Sequence, residues 1–160
     1  MVQITIEYMI MIPILVMQIF LFPVTASWLM NIWVDSRRTL TLQDASSHLG
    51  SVIQQLYFSL NHETISTGTA THAPGLPPFI ENQHYHGEAT LKTTSYPTSN
   101  SSKSLEITLE LATTGTTVTT SVILGPNTLW RDSTFVSNST NACVKAEKFP
   151  NETICLYFGG

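Results

Sequence analysis

"LTLQDASSHLGSVIQQLYFSL", residues 40 to 60, carries an apolar stripe. Leu42, Ala45, Leu49, Val52, Ile53, Leu56 and Leu60 recur at three- and four-residue steps, the period of one face of an α-helix. Gln43, Asp44, Ser47, Gln54 and Gln55 occupy the opposite face. Such a stripe must cover something; the β-rich part of the same chain is the nearest apolar surface, and a neighbouring copy is the alternative. Gly50 interrupts the pattern at a cost of about 1 kcal/mol relative to alanine.

Toward the N-terminus the character changes. From Tyr8 to Val34 there are 27 residues and none is charged. As a helix this run is about 40 Å long, enough to cross a bilayer core of about 30 Å. Trp28 and Trp33 lie near its far end, where a membrane interface favours them, and Asp35, Arg37 and Arg38 follow. Pro13 and Pro23 fall inside the run; each removes a backbone donor and tends to kink a helix. The expectation is one helix from residue 3 to about 60, apolar on all sides over 1–34 and one-faced over 35–60.

Asn61 to Pro78 contains Gly68, Pro74, Gly75, Pro77 and Pro78, so residues 61–86 are expected to be a linker. From residue 87 to 160 the period becomes two. Leu105, Ile107, Leu109 and Leu111 alternate with Glu106, Thr108 and Glu110, the pattern of a half-buried strand. Thr113-Thr114-Gly115 marks a turn. Val118, Thr120, Val122 and Leu124 share a face of the next strand, and further short strands are expected near 88–94, 128–137, 142–147 and 153–158. Threonine and valine fit pleated surfaces. The fold class is α+β: a long N-terminal helix followed by a C-terminal antiparallel, β-sandwich-like domain.

Charged residues form only 11% of the chain and the net charge is −4. The seven basic residues are scattered, which argues against a nucleic-acid surface. Asn100, Asn138 and Asn151 each open an Asn-x-Ser/Thr sequon. Together with a nearby pair of cysteines, Cys143 and Cys155, they point to an exported domain carrying N-linked sugars. A Cys143–Cys155 bridge would close a hairpin and contribute about 3 kcal/mol at most; two buried free thiols are the alternative.

His84-Tyr85-His86, with Glu88, is the best metal-ligand cluster. In a strand the two imidazoles share a face, but no third ligand is fixed by spacing, so no metal is expected. There is no Cys-x-x-Cys-His, phosphate loop or nucleophile elbow. Neither a cofactor nor catalytic residues are expected, and the chain is not read as an enzyme.

Gln3-x-Thr5-x-Glu7, running directly into an apolar helix, resembles the class III signal sequences of archaeal type IV pilins, whose pattern is Gln-x-Ser-x-Glu before a hydrophobic stretch. Thr5 stands for the Ser, and Met11 stands where Leu is usual. The layout of long helix followed by a β-rich, glycosylated domain is also similar.

The resemblance implies a structural subunit of an extracellular filament serving adhesion or surface contact. It implies a basic leader removed by a prepilin peptidase, with cleavage before Gln3 placing Glu7 five residues in. It also implies insertion in the cell membrane before assembly, and a platform protein and ATPase that add subunits. The partners are then identical subunits, in contact along a filament-core helix that includes Ile10, Ile14, Leu15, Phe20, Leu21, Val24 and Trp28. A carboxylate in hydrocarbon is expensive without a partner. Pairing of Glu7 with a neighbour's amino terminus would set the register of addition. A position at the membrane surface, by the helix N-terminus, suits it equally. Two other functions fit the same elements: a single-pass surface protein with a binding or sensing module, and an archaellin, although archaellin helices usually lack the Gln-x-Ser-x-Glu opening.

Overall fold

The computed structural model describes the backbone of residues 2–94 and 102–159, and the side chains of residues 9–93 and 102–159. Helix α1 spans Val2–Leu60. Among the described residues eight strands follow: β1 (Gly68–His72), β2 (Tyr85–Thr94), β3 (Ser102–Leu111), β4 (Thr117–Leu124), β5 (Thr128–Trp130), β6 (Thr134–Val136), β7 (Cys143–Lys148) and β8 (Ile154–Gly159). The class is α+β. The chain divides into two compact units, Met1–Arg37 and Arg38–Gly160.

The first unit is helix. Pro13 and Pro23 lie within it, and neither can donate to the carbonyl four residues before it. The Thr25 hydroxyl donates to the carbonyls of Leu21 and Phe22, both at 3.0 Å, and so adds a bond in the turn around Pro23. Near the end of this unit the Arg37 guanidinium lies 5.5 Å from the centre of the Trp33 ring, a cation–π contact.

In the second unit the stripe expected from the sequence is buried: Leu42, Ala45, Leu49, Val52, Ile53, Leu56 and Leu60 all belong to the core. Tyr57 joins them, and Ser46, fully buried, donates from its hydroxyl to Thr120 at 2.8 Å. Gly50 is the point of closest approach. A methyl group there would stand 2.7 Å from Cγ2 of Val122, so the residue that weakens the helix lets it lie against β4.

The strands form two four-stranded sheets, ordered β4-β3-β2-β6 and β1-β7-β8-β5. Only the β5–β8 pairing is parallel among the paired strands. The alternation in β3 sends Leu105, Ile107, Leu109 and Leu111 inward, all fully buried. Val144, Ala146, Ile154, Leu156 and Phe158 supply the other sheet's share of the same core. The rings of Phe135 and Phe158 meet at 5.7 Å, edge to face, and join the two sheets.

Residues 61–86 are not a plain linker. They contain β1, which pairs with β7 from Gly68↔Lys148 to His72↔Val144. The proline-rich stretch after it is strapped down by side chains. His48 Nε2 donates to the Pro74 carbonyl, the Tyr85 hydroxyl to Pro77 and the Ser137 hydroxyl to Pro78, each at 2.8 Å. Prolines supply carbonyls but no N–H groups, and here the donors to their carbonyls come from elsewhere in the unit.

The expected Cys143–Cys155 bridge does not form; both cysteines are free. Partners in the β7–β8 hairpin are symmetric about Asn151: Lys148 faces Ile154, and Cys143 faces Gly159. Cys143 lies eight residues before that centre and Cys155 four after it. The offset of four residues is about 13 Å along a strand, whereas a disulfide needs Cα atoms within about 7 Å.

Candidate assembly surface

The side chains from Met9 to Trp33 have almost nothing of their own unit to pack on. Large apolar residues there are 44% (Ile32) to 77% (Met9) exposed. Ile10, Ile14, Leu15, Phe20, Leu21, Val24 and Trp28 are all within this set. Their exposure, 52% (Leu21) to 71% (Phe20), overlaps that of Met11, Met17, Phe22, Leu29 and Trp33, so the apolar surface runs round the whole cylinder. Local hydropathy finds this cylinder but cannot choose a face on it. The segment is long and apolar enough to cross a membrane. Single exposed apolar residues are ordinary on protein surfaces, but a contiguous sleeve of them marks a surface meant for lipid or protein.

Glu7 lies in the backbone of α1, and its side chain is outside the described residues, as is Asn100 altogether. Asn138, in the turn after β6, and Asn151, in the turn between β7 and β8, are both exposed. The Asn151 Oδ1 accepts the N–H of Thr153 at 3.2 Å.

Several charges of the second unit form pairs: Arg38 with Glu81 at 3.2 Å, Lys92 with Glu106 at 2.6 Å, and Arg131 with Glu147 at 3.9 Å. Arg131 also lies 4.4 Å from the centre of the Tyr157 ring. His86 lies 3.5 Å from Glu110 across the sheet. Among the described residues no three of His, Cys, Asp and Glu come together in a metal-binding arrangement.

Two tyrosines tie the core to polar groups, and neither was marked as core by the sequence. Tyr57 donates its hydroxyl to Asn127 Oδ1 at 2.9 Å, and burial pushes its pKa up. Gly125 makes room for it, because a side-chain carbon there would overlap the hydroxyl. Tyr85 is fully buried, and burial pushes its pKa up to about 12.

No family model, curated protein or solved structure matches this chain.

Proposed function

We propose that this chain is the repeating subunit of an archaeal type IV pilus, a filament displayed outside the cell for adhesion or surface contact. The observation that carries this reading is the sleeve from Met9 to Trp33, apolar on all sides and exposed. Packing many such helices together removes apolar surface from water or lipid at roughly 25 cal/mol per Å² for the aqueous part. The Gln3-x-Thr5-x-Glu7 opening and the β-rich unit behind it support the same reading.

On this reading the sleeve holds the subunit in the cell membrane, a prepilin peptidase trims the leader, and a platform protein moves the subunit into the fibre. Ile10, Ile14, Leu15, Phe20, Leu21, Val24 and Trp28 then meet neighbouring copies. Glu7 pairs with a neighbour's amino terminus. Exposed Asn138 and Asn151, with Asn100, carry sugars that keep a weakly charged surface soluble.

Electron microscopy of the sheared surface fraction, with antibody labelling, tests the proposal. Labelled fibres are expected from cells making this chain, and a Glu7→Ala variant is expected to remain in the membrane while fibres are lost. Label confined to the membrane in the unaltered chain would instead establish a single-pass surface protein. Normal fibres from Glu7→Ala would remove the register role and leave Glu7 as an acid beside the helix N-terminus.

A further inference from the structure

Pro23 leaves a gap in the hydrogen bonding of α1. In a regular helix the N–H of residue 23 meets the carbonyl of residue 19, and proline has no N–H to give. The nearby Thr25 hydroxyl donates to the carbonyls of Leu21 and Phe22. No side chain among the described residues donates to the carbonyl of Ile19. One residue earlier stands Gln18, exposed and without a hydrogen-bond partner among the described residues. Its amide carries two donor N–H groups.

Leu15, Gln18, Ile19, Phe22, Pro23 and Thr25 line one groove on the sleeve, of about 680 Å³. A helix carbonyl points along the axis toward the residue four ahead, so that of Ile19 is aimed at Pro23 in the same wall. In the charge-free run, Gln18 lies ten residues after Tyr8 and 16 before Val34, about 15 and 24 Å along a helix. With the sleeve in a bilayer, both groups lie within hydrocarbon. An amide and a carbonyl without partners are costly there, and lipid tails offer neither donor nor acceptor.

We infer that two copies of this chain pair side by side through this groove, the Gln18 amide of each donating to the Ile19 carbonyl of the other. A second copy is the occupant because the groove is self-complementary: it holds donors to spare and an acceptor short of one. Copies inserted the same way round present the two groups at depths one residue apart, about 1.5 Å, within reach of a glutamine side chain. A twofold pair satisfies both copies at once. Polar side chains that bond across helices are a recurring means of association in membranes. The inference rests on residence of the sleeve in a membrane and not on fibre formation, so fibres are scored separately and bear only on the filament reading.

The test is energy transfer between full chains carrying donor or acceptor dyes at the C-terminus, in phosphatidylcholine vesicles at a series of protein-to-lipid ratios. Transfer above that of randomly placed chains is expected. Gln18→Leu is expected to weaken pairing by about tenfold, as loss of two interhelical bonds implies. Pro23→Ala restores an N–H to the Ile19 carbonyl and is expected to weaken it by about the same factor. Because the two substitutions remove one and the same bond, the double variant is expected to be about tenfold weaker and not about a hundredfold.

Leu and Ala are strong helix formers, so the variants keep the helix. Transfer no greater than random in the unaltered chain would overturn the inference and leave the groove to lipid. Unchanged pairing in Gln18→Leu or in Pro23→Ala would overturn it as well. So would additive losses in the double variant, which would mean that the two residues act through separate contacts.

Discussion

Residues 9–33 and 42–60 lie in the same helix and are both rich in Leu, Ile and Val, yet their side chains meet opposite surroundings. In the first stretch Leu15 is 59% exposed and Phe22 is 74% exposed. In the second, Leu42, Leu49 and Ile53 are fully buried. The difference follows from pattern, not from total apolarity. Polar residues between the leucines of 42–60 leave one stripe, which one β-domain can cover. With only Gln18, Thr25, Ser27 and Asn31 to interrupt it, the sleeve leaves large apolar residues exposed along its whole length, a surface suited to lipid or to other chains. A helix of uniform sequence could serve both roles only poorly.

Truncation should break this comparison most visibly. A chain starting at Thr39 is expected to be soluble and to unfold cooperatively. One starting at Asn61 is expected to aggregate or melt early. Each buried apolar side chain contributes about 1.5–3 kcal/mol. The six Leu, Ile and Val residues of the stripe therefore rival the whole stability of a small domain, about 5–15 kcal/mol. Circular dichroism during heating checks this, and equal melting of the two chains would show that the stripe is dispensable to the β-domain.

A matched pair of substitutions sharpens the same contrast. Leu49→Ala should lower the stability of the Thr39–Gly160 unit by about 2–5 kcal/mol in urea unfolding, since a core cavity is left behind. In the full chain, Leu15→Ala should leave the unfolding of the β-domain unchanged and reduce fibre yield or membrane retention. If Leu15→Ala shifted the urea midpoint of the β-domain, the two halves of the helix would not be energetically separate.

Tyr85 gives a smaller effect that depends on pH. Its folded-state pKa of about 12 lies above the ordinary value near 10. The unfolded chain therefore loses its phenolic proton first. Stability is level below about pH 10 and falls between pH 10 and about 12, by about 2 kcal/mol from this group. Tyr85→Phe should flatten that fall by one proton. At neutral pH it should also cost about 1 kcal/mol, through loss of the bond to Pro77. Unfolding curves collected from pH 8 to about 12 check the sign, and an unchanged alkaline slope would mean that Tyr85 ionises freely in the folded chain.

Gly50 gives the smallest effect, and an instructive sign. In an exposed helix, glycine to alanine gains about 1 kcal/mol. Here the added methyl meets Val122 at 2.7 Å, and overpacking costs about 1–3 kcal/mol. Gly50→Ala is therefore expected to destabilise by about 0–2 kcal/mol, measured by urea unfolding. A gain in stability would mean that the strand gives way easily and that the glycine is not required for close packing.

Much of the fold was legible from residue order alone. The helix ends at Leu60, where the three-and-four stripe stops, and β3 and β4 occupy the segments whose apolar residues alternate. The charge-free run was equally plain, as was its capacity to cross a membrane. These features are local: a helix or a half-buried strand prints its period on its own sequence.

What the tertiary structure decided depends on partners far along the chain. Gly68 pairs with Lys148, which turns an expected linker into a strand. The hairpin centre at Asn151 sets Cys143 opposite Gly159 and not opposite Cys155; a shift of register by a few residues leaves the composition unchanged and moves every pairing. Tyr57 is buried because Asn127 accepts its hydroxyl and Gly125 leaves it room. Lys148 appears in sequence as one more scattered cation. Its inward position follows from the strand's alternation, and its bond to the His62 carbonyl from a helix end brought to it by folding. Burial, register and the meeting of distant polar groups are properties of the packed chain, because each depends on which surfaces exclude water together.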